Sequence, residues 1–584
     1  MAKLVIMVDD HSLQEAYRRS ATSVLVESLP EATIEALVDY IVLKKLGGSS
    51  AEWICDVYDV SQYSLPISMP LQVPGTLPTP LFPPALISDA LSNPSAAIHF
   101  YISCIPESHL RERPPSISSP SAWTTFMTES PIATHAPSSV AKEPHTHQAS
   151  PAHRIWNDRP DSEPGMTPIA LLYQPFGKFQ DISKGIAADG VELVDETVLR
   201  TGVLQLAAAG RDFYPDETAR RLAMLPFIDN IFESHRDSAL WPTLMVDHDT
   251  SPLGAVTTLV EFRNEFLDIT SEAEYEAAAY ATQSHAAASK IFPEVYRAFR
   301  MPTLMLTVHG ANICFYALLI LQRPRIVELT PILSLRHDSV DSRPLDTLSA
   351  AFRAACVLRA DINRDVADML GHTRQSSRPL LKPQFPSSTH CTSCSDPTQT
   401  LTFTLVQRFQ ELNNRLLFLA ELDNDNRKVL VKYSLSYSAP LHQLCHSLGH
   451  APELLGHEIL PGGWHQIVME YIPDAPCLAM VSMTDVHRQR AYAKMKSLAD
   501  AFHAQGYVHG DLRTANILAC HGWEQDLTKL SLVDFDWGGL AGEARYPTPL
   551  LIGELLNRPM TTLDDLVIRV EDDLAVLAKT FKVL

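Results

Sequence analysis

His503-Ala-Gln-Gly-Tyr-Val-His-Gly-Asp-Leu-Arg-Thr-Ala-Asn-Ile-Leu518 and, a little downstream, Leu530-Ser-Leu-Val-Asp-Phe-Asp-Trp-Gly-Gly539 decide how the C-terminal third of this chain is read. Ahead of them, Asp485–Gln505 carries apolar residues at helical spacing. The helix predicted there opens into a loop holding Asp511 and Asn516, five positions apart. Ile517–Ala519 and Leu530–Val533 are short apolar runs of strand character, and the second stops on Asp534. Two strand ends thus deliver an Asp–Asn pair and a further Asp to one place.

That trio suits phosphoryl transfer. A carboxylate must orient the attacking hydroxyl, and oxygen ligands must hold the Mg²⁺ that bridges nucleotide phosphates. The order helix, HxDxxxxN loop, strand, strand, Asp resembles the catalytic core of the protein-kinase-like fold. Together with Arg545-Tyr546-Pro547, it is similar to a group of fungal protein-kinase-like proteins with HGDLR…N and DFDW…G…RYP motifs. These stand between protein kinases and small-molecule kinases of the aminoglycoside-phosphotransferase type. The resemblance covers about 185 residues, 400–584, and implies a bilobal domain using ATP and Mg²⁺.

Carried over by position, the resemblance makes Asp511 the catalytic base and has Arg513 steady the transferring phosphate. Asn516 and Asp534 would hold metal and nucleotide. Val429-Leu-Val-Lys432 looks like the strand whose lysine grips the α- and β-phosphates, after a strand at Leu416–Glu421 and a hairpin at Asp423–Asn426. Trp464–Ile472 looks like the strand entering the hinge, with Met469 as gatekeeper and the backbone of Glu470 and Ile472 facing adenine. His509 and Trp537 read as packing residues, Asp536 has no assigned role, and Asp572 or Asp573 would support the loop from a final helix, about Leu563–Phe581.

Departures from the family pattern are equally visible. Gly510 stands where many kinases carry an arginine that receives an activation-loop phosphate, so that switch is not expected. The connection Gln407–Asn414 is not glycine-rich, which weakens close backbone approach to phosphates. Pro440 stands where a glutamate would pair with Lys432. Only 37 residues follow Pro547, fewer than a typical peptide-binding set of helices needs. A pseudokinase scaffold with the fold but little catalysis is therefore the alternative.

Upstream, Ile169–Asp368 mixes predicted helices (Asp216–Glu233, Glu272–Ile291, Pro344–Leu358) with strands (Thr243–Val246, Ala255–Phe262, Thr303–Val308, Ile313–Leu319, Arg325–Leu329), an α/β pattern. His309-Gly-Ala-Asn312 reads as a turn between two buried strands, not the middle of a membrane span. Glu261 and Arg263, near Asp247 and Asp249 and followed by Glu276 and Tyr280, resemble a worn restriction-endonuclease-like site. There carboxylates bind Mg²⁺ and a lysine helps activate water. Arginine at that position cannot take a proton. A nucleic-acid-acting domain regulated by the kinase-like one is the third reading.

The remaining organisation reads as a helical hairpin over 1–60 (His11–Leu29 and Glu31–Leu46), a Pro/Ser-rich disordered linker over 61–168, the α/β region over 169–369, a polar linker over 370–399 and the kinase-like domain over 400–584. Pro66–Pro168 holds 19 of the 42 prolines, which prevents long helices and central strands. His390, Cys391 and Cys394, with His372 as the only other ligand nearby, make half of a zinc site. His442, Cys445 and His446 share one predicted helix, for which a core face is the simpler account. No Walker loop and no GxSxG motif support a P-loop ATPase or an α/β-hydrolase.

The chain has 584 residues and a net charge of −21, which argues against broad binding to nucleic acid or anionic membrane. Nine cysteines, an odd number, suit a reducing compartment. Asp9 and Asp10 interrupt the first apolar run, so no signal peptide is expected, and the default is an intracellular protein, cytoplasmic or nuclear. The expected partners are a nucleotide and a protein substrate.

Overall fold

A computed structural model describes residues 3–10, 19–25, 37, 53–59, 100–106, 126–127, 130–149, 154–157, 166–235, 245–246, 256–265, 272–291, 295–296, 299–321, 323–336, 341–371, 382, 384–409, 415–547 and 566–582. Residues 1–117 and 118–584 form two compact units.

In the first, β1 (Lys3–Asp10), β2 (Arg19–Leu25), β3 (Trp53–Asp59) and β4 (Phe100–Pro106) make one sheet in the order β2-β1-β4-β3. β1 is antiparallel to β2 and parallel to β4, and β4 is antiparallel to β3. This corrects the helical hairpin expected over 1–60. In Arg19-Ser-Ala-Thr-Ser-Val-Leu25 only Thr22 and Val24 favour extended backbone by type, and antiparallel pairing with β1 overrides the apolar spacing. Of the second expected helix only Leu37 is described, helical and buried.

The linker expected over 61–168 needs the same correction. β4 lies inside it, as do helices α1 (Pro131–Thr134), α2 (Pro137–Lys142) and α3 (Pro144–Ala149). Each helix begins on proline, where the missing N–H costs nothing. Ile132, Val140, Ile155 and Trp156 belong to the core of the α/β region.

That region surrounds a six-stranded sheet of order β10-β8-β7-β6-β5, with β9 on β8. Its strands are β5 (Met245–Val246), β6 (Thr258–Arg263), β7 (Thr303–His309), β8 (Asn312–Ile320), β9 (Pro324–Glu328) and β10 (Leu333–Ser334). β5, β6 and β7 are parallel, and β7 turns back into β8 at Gly310, which has φ +54°. The turn falls where the sequence places it. Helices α4 (Ile169–Leu172), α5 (Gln174–Ser183), α6 (Glu196–Gly210), α7 (Glu217–Glu233), α8 (Ala273–Ile291) and α9 (Arg343–Gly371) complete the region. β6 is buried along its whole length, as a strand covered on both faces must be.

The C-terminal region opens with an antiparallel sheet of order β11-β12-β13-β14-β16-β15. Its strands are β11 (His390–Thr392), β12 (Thr400–Arg408), β13 (Leu416–Leu422), β14 (Lys428–Ser434), β15 (Leu454–Leu460) and β16 (Trp464–Glu470). β11 lies in the segment expected as linker over 370–399, so part of that segment is sheet edge. Helix α10 (Ala439–Ser447) packs against β15 and against α11 (Asp485–His503). Two short pairs follow, β17 (Tyr507–Val508) with β20 (Gly539–Leu540) and β18 (Ile517–Ala519) with β19 (Leu530–Leu532), before α12 (Val570–Thr580).

The α/β region and this sheet share a joint. Leu171 of α4 enters the core formed by Phe403, Phe418, Val431 and Val468. Asp181 accepts from Gly462 N–H at 2.8 Å, and Arg300 donates to the carbonyl oxygens of Leu172, Lys382 and Phe385. No helix among the described residues is long and apolar enough to cross a membrane.

Candidate active site

β14 carries Lys432 into the site, where it pairs with Leu417 of β13 on the same face of the sheet. β18 and β19 run side by side, and Val533 N–H donates to Asn516 O at 2.9 Å, so the ends of both strands meet. Asp534 directly follows with φ +72°, a left-handed backbone uncommon for a non-glycine residue. Its carboxylate contacts the Lys432 ammonium through Oδ1 and Arg415 Nη2 through Oδ2, the latter at 2.7 Å. The spatial convergence read from sequence is present.

Lys432 is almost fully buried and has a second acidic partner, Asp536 Oδ1 at 2.5 Å. Burial alone would lower its pKa, but the carboxylates of Asp534 and Asp536 outweigh that and raise it. Burial likewise works to raise Asp534, yet Lys432 and Arg415 hold its carboxyl below the usual range. Asp536 goes the other way, pushed up by burial despite Lys432, with the Asp534 charge adding to the shift. Helix α10 offers no carboxylate, because Pro440 starts it and its buried face carries Leu441, His442 and Cys445. The acid that pairs with Lys432 comes instead from the segment after β19, at the residue that sequence reasoning left without a role.

Asp511 is buried in the loop after β17. Both its carboxylate oxygens are engaged by Arg513, through Nε and through Nη2 at 2.7 Å. Asn516 Nδ2 donates to Asp511 O at 3.0 Å and to Asp511 Oδ2 at 2.7 Å. Its amide oxygen therefore points away from Asp511. Arg513, expected to face a phosphate, is committed here to the base.

The loop is supported from below. Asp573 of α12 accepts from the backbone N–H groups of His509 and Gly510, each at 2.7 Å, and from His503 Nε2 at 3.0 Å. Asp572 caps its own helix through Arg569 N–H at 2.9 Å, which decides between the two candidates. Gly510 has φ +83°, and an added Cβ would lie 2.8 Å from Ile568 Cδ1, so an arginine has no place there. His509 is fully buried with its ring centroid 5.3 Å from that of Phe535, and Trp537 packs edge-on against Tyr546, both as expected of packing residues.

Met469 is buried in the core near the end of β16. Glu470 is exposed and its N–H donates to Glu453 O at 2.9 Å, while Ile472 lies two residues beyond the strand and is partly exposed. Residues 410–414 lie outside the described residues.

Other candidates resolve differently. Glu261 and Arg263 on β6 meet Glu276 on α8: the Arg263 guanidinium bonds Glu261 Oε1 at 2.6 Å, Glu276 Oε2, and Glu217 Oε2 at 3.3 Å. A fixed cation thus fills the space between the carboxylates. Asp247 and Asp249 lie outside the described residues, as does His372. Cys391 is buried on β11, and burial pushes its thiol up to about 12. Among the described residues no group of three or more His, Cys, Asp or Glu is arranged to hold a metal. His442 and Cys445 are core residues; His442 bonds Tyr437 Oη at 2.6 Å and Pro452 O at 2.9 Å.

No family model matches the chain, and no curated protein matches it. Solved structures similar to it include the Cydia pomonella granulovirus kinase PK-1 (12% identity, 31% of this chain and 69% of that one, TM-score 0.26). Vaccinia related kinase 3 (15%, 36% and 70%, 0.26) and the BubR1 kinase domain (14%, 38% and 72%, 0.27) are others. All three are kinases. At these scores the likeness is slight, and the functional reading rests on the chain's own residues.

Proposed function

We propose that the C-terminal region binds ATP with Mg²⁺ and transfers the γ-phosphate to a hydroxyl, with a protein Ser, Thr or Tyr as acceptor. The observation that carries this is that Lys432 of β14 meets Asp534 just after β19, while Asn516 just before β18 bonds both Asp511 and the backbone of Val533. The donor set fits the metal: Asp534 supplies a carboxylate and Asn516 an amide oxygen turned away from Asp511, both hard oxygen ligands. When bound, Mg²⁺ would neutralise phosphate charge.

The protein's part is positioning. Lys432, held by Asp536, presents its ammonium to the α- and β-phosphates. Asp511, fixed by Asn516, accepts a hydrogen bond from the acceptor hydroxyl and aims its oxygen at phosphorus. Met469 borders the adenine, and backbone groups at Glu470 and Ile472 bond its edge.

A thermal-shift titration with ATP·Mg²⁺ tests the binding step. We expect a rise in Tm that Asp534→Ala abolishes. Transfer of radiolabelled γ-phosphate to a generic protein acceptor tests the chemistry, and Asp511→Asn should remove it by about 10³-fold or more. A second reading, a nucleotide-binding scaffold without transfer, is favoured by the Arg513 grip on both oxygens of Asp511. A Tm rise without any label transfer would decide for it.

A further inference from the structure

Asp534 has both carboxylate oxygens covered by cations of the chain itself: Lys432 on Oδ1 and Arg415 on Oδ2. A divalent cation taking this carboxylate must displace one of them. The two are not equally held. Lys432 is buried, with 7% of its side chain exposed, and keeps Asp536 as a second partner at 2.5 Å. The Arg415 side chain is 39% exposed and makes one ion pair in the site. Arg415 is therefore the cation that leaves.

Its position gives the freed charge a destination. Leu416 pairs with Tyr433 and Leu417 with Lys432 across the β13–β14 ladder. Arg415 immediately precedes β13 and, like Lys432, reaches the Asp534 carboxylate. The sequence Gln407–Asn414 has no glycine to let backbone N–H groups approach phosphates closely. The Arg415 guanidinium, held at the site by Asp534, supplies donors in the fork geometry that suits phosphate oxygens.

We propose that Arg415 is an exchangeable phosphate ligand: it pairs with Asp534 before a metal–nucleotide binds and moves to the β- and γ-phosphates when one enters. This rests on the nucleotide-binding reading above. Exchange also explains the doubled acid of Asp534 and Asp536, since Lys432 keeps a partner when Asp534 turns to metal.

Calorimetric titration of the full chain with ATP·Mg²⁺, with AMP and with Mn²⁺ alone tests the exchange. Arg415→Ala should weaken ATP·Mg²⁺ about tenfold, one charge-assisted contact, and leave AMP within about twofold. The same variant should bind Mn²⁺ several-fold more tightly, because a competitor has been removed. Arg415→Lys keeps the charge and should recover at least part of the ATP affinity, which guards against a folding artefact. Unchanged ATP affinity in Arg415→Ala, equal weakening of AMP and ATP, or a lysine variant as weak as alanine overturns the proposal. If the unaltered chain binds neither ATP nor Mn²⁺, the nucleotide reading itself fails and the exchange with it.

Discussion

Asp573 shows what one buried carboxylate does for a loop that has no regular structure of its own. Two backbone donors, His509 N–H and Gly510 N–H, end on its oxygens, and it is fully buried. Hydrogen bonds to charge contribute more than neutral ones, and a buried donor left without a partner costs further. Asp573→Ala should therefore destabilise the chain by about 3 kcal/mol or more, read by denaturant unfolding. It should also cost activity out of proportion, since Asp511 follows directly. The loop residues were legible because residue type and spacing state their chemistry. Asp573 was narrowed to two neighbours, and only helix phase separates them, with Asp572 turned back to its own N-terminus. Asp536 was not legible, because its partner Lys432 lies 104 positions away and the family pattern places that partner's acid on a helix.

At the scale of elements, α10 joins stability to pH through His442. Burial lowers its pKa to about 4, and its ring stacks on Phe535 with centroids 4.6 Å apart. A histidine held neutral in the fold but free to protonate near 6.5 when unfolded makes the unfolded state bind more protons below that pH. Stability is then complete above pH 6.5 and falls as pH drops toward 4, by up to about 3 kcal/mol from this residue. His285 of α8, lowered to about 3 by burial, adds to the same acid limb. Unfolding free energy measured from pH 7 to pH 4 should show the fall, and His442→Gln should flatten part of it while lowering stability at pH 7. Strands and helices with strong periodicity, such as β7, β8 and α8, were legible within a residue or two. β2 was not, since long-range pairing with β1 outweighs a local apolar pattern. Proline content misled in the same way over 131–149, where each proline sits at a helix start.

Across residues 118–584, the question is whether the α/β region merely precedes the C-terminal sheet or holds it. Gly177, inside α5, packs its Cα against the β15–β16 turn: an added Cβ would lie 2.4 Å from Pro461 O and 2.6 Å from Pro461 C. Both are backbone atoms, which cannot swing aside as a flexible side chain would. Two effects of Gly177→Ala therefore oppose each other. Helix propensity favours alanine by about 1 kcal/mol. Overpacking against fixed backbone costs about 1–3 kcal/mol and also pulls on the Asp181–Gly462 bond that closes the joint. The clash should win, giving a lower Tm than the unaltered chain. It should also reach the site, because β16 leaves that turn and pairs Ile467 with Lys432. A weaker ATP·Mg²⁺ affinity beside the lower Tm would show that the joint positions the lysine strand. A higher Tm would mean that propensity prevails, that the two regions sit loosely together, and that α5 is no anchor.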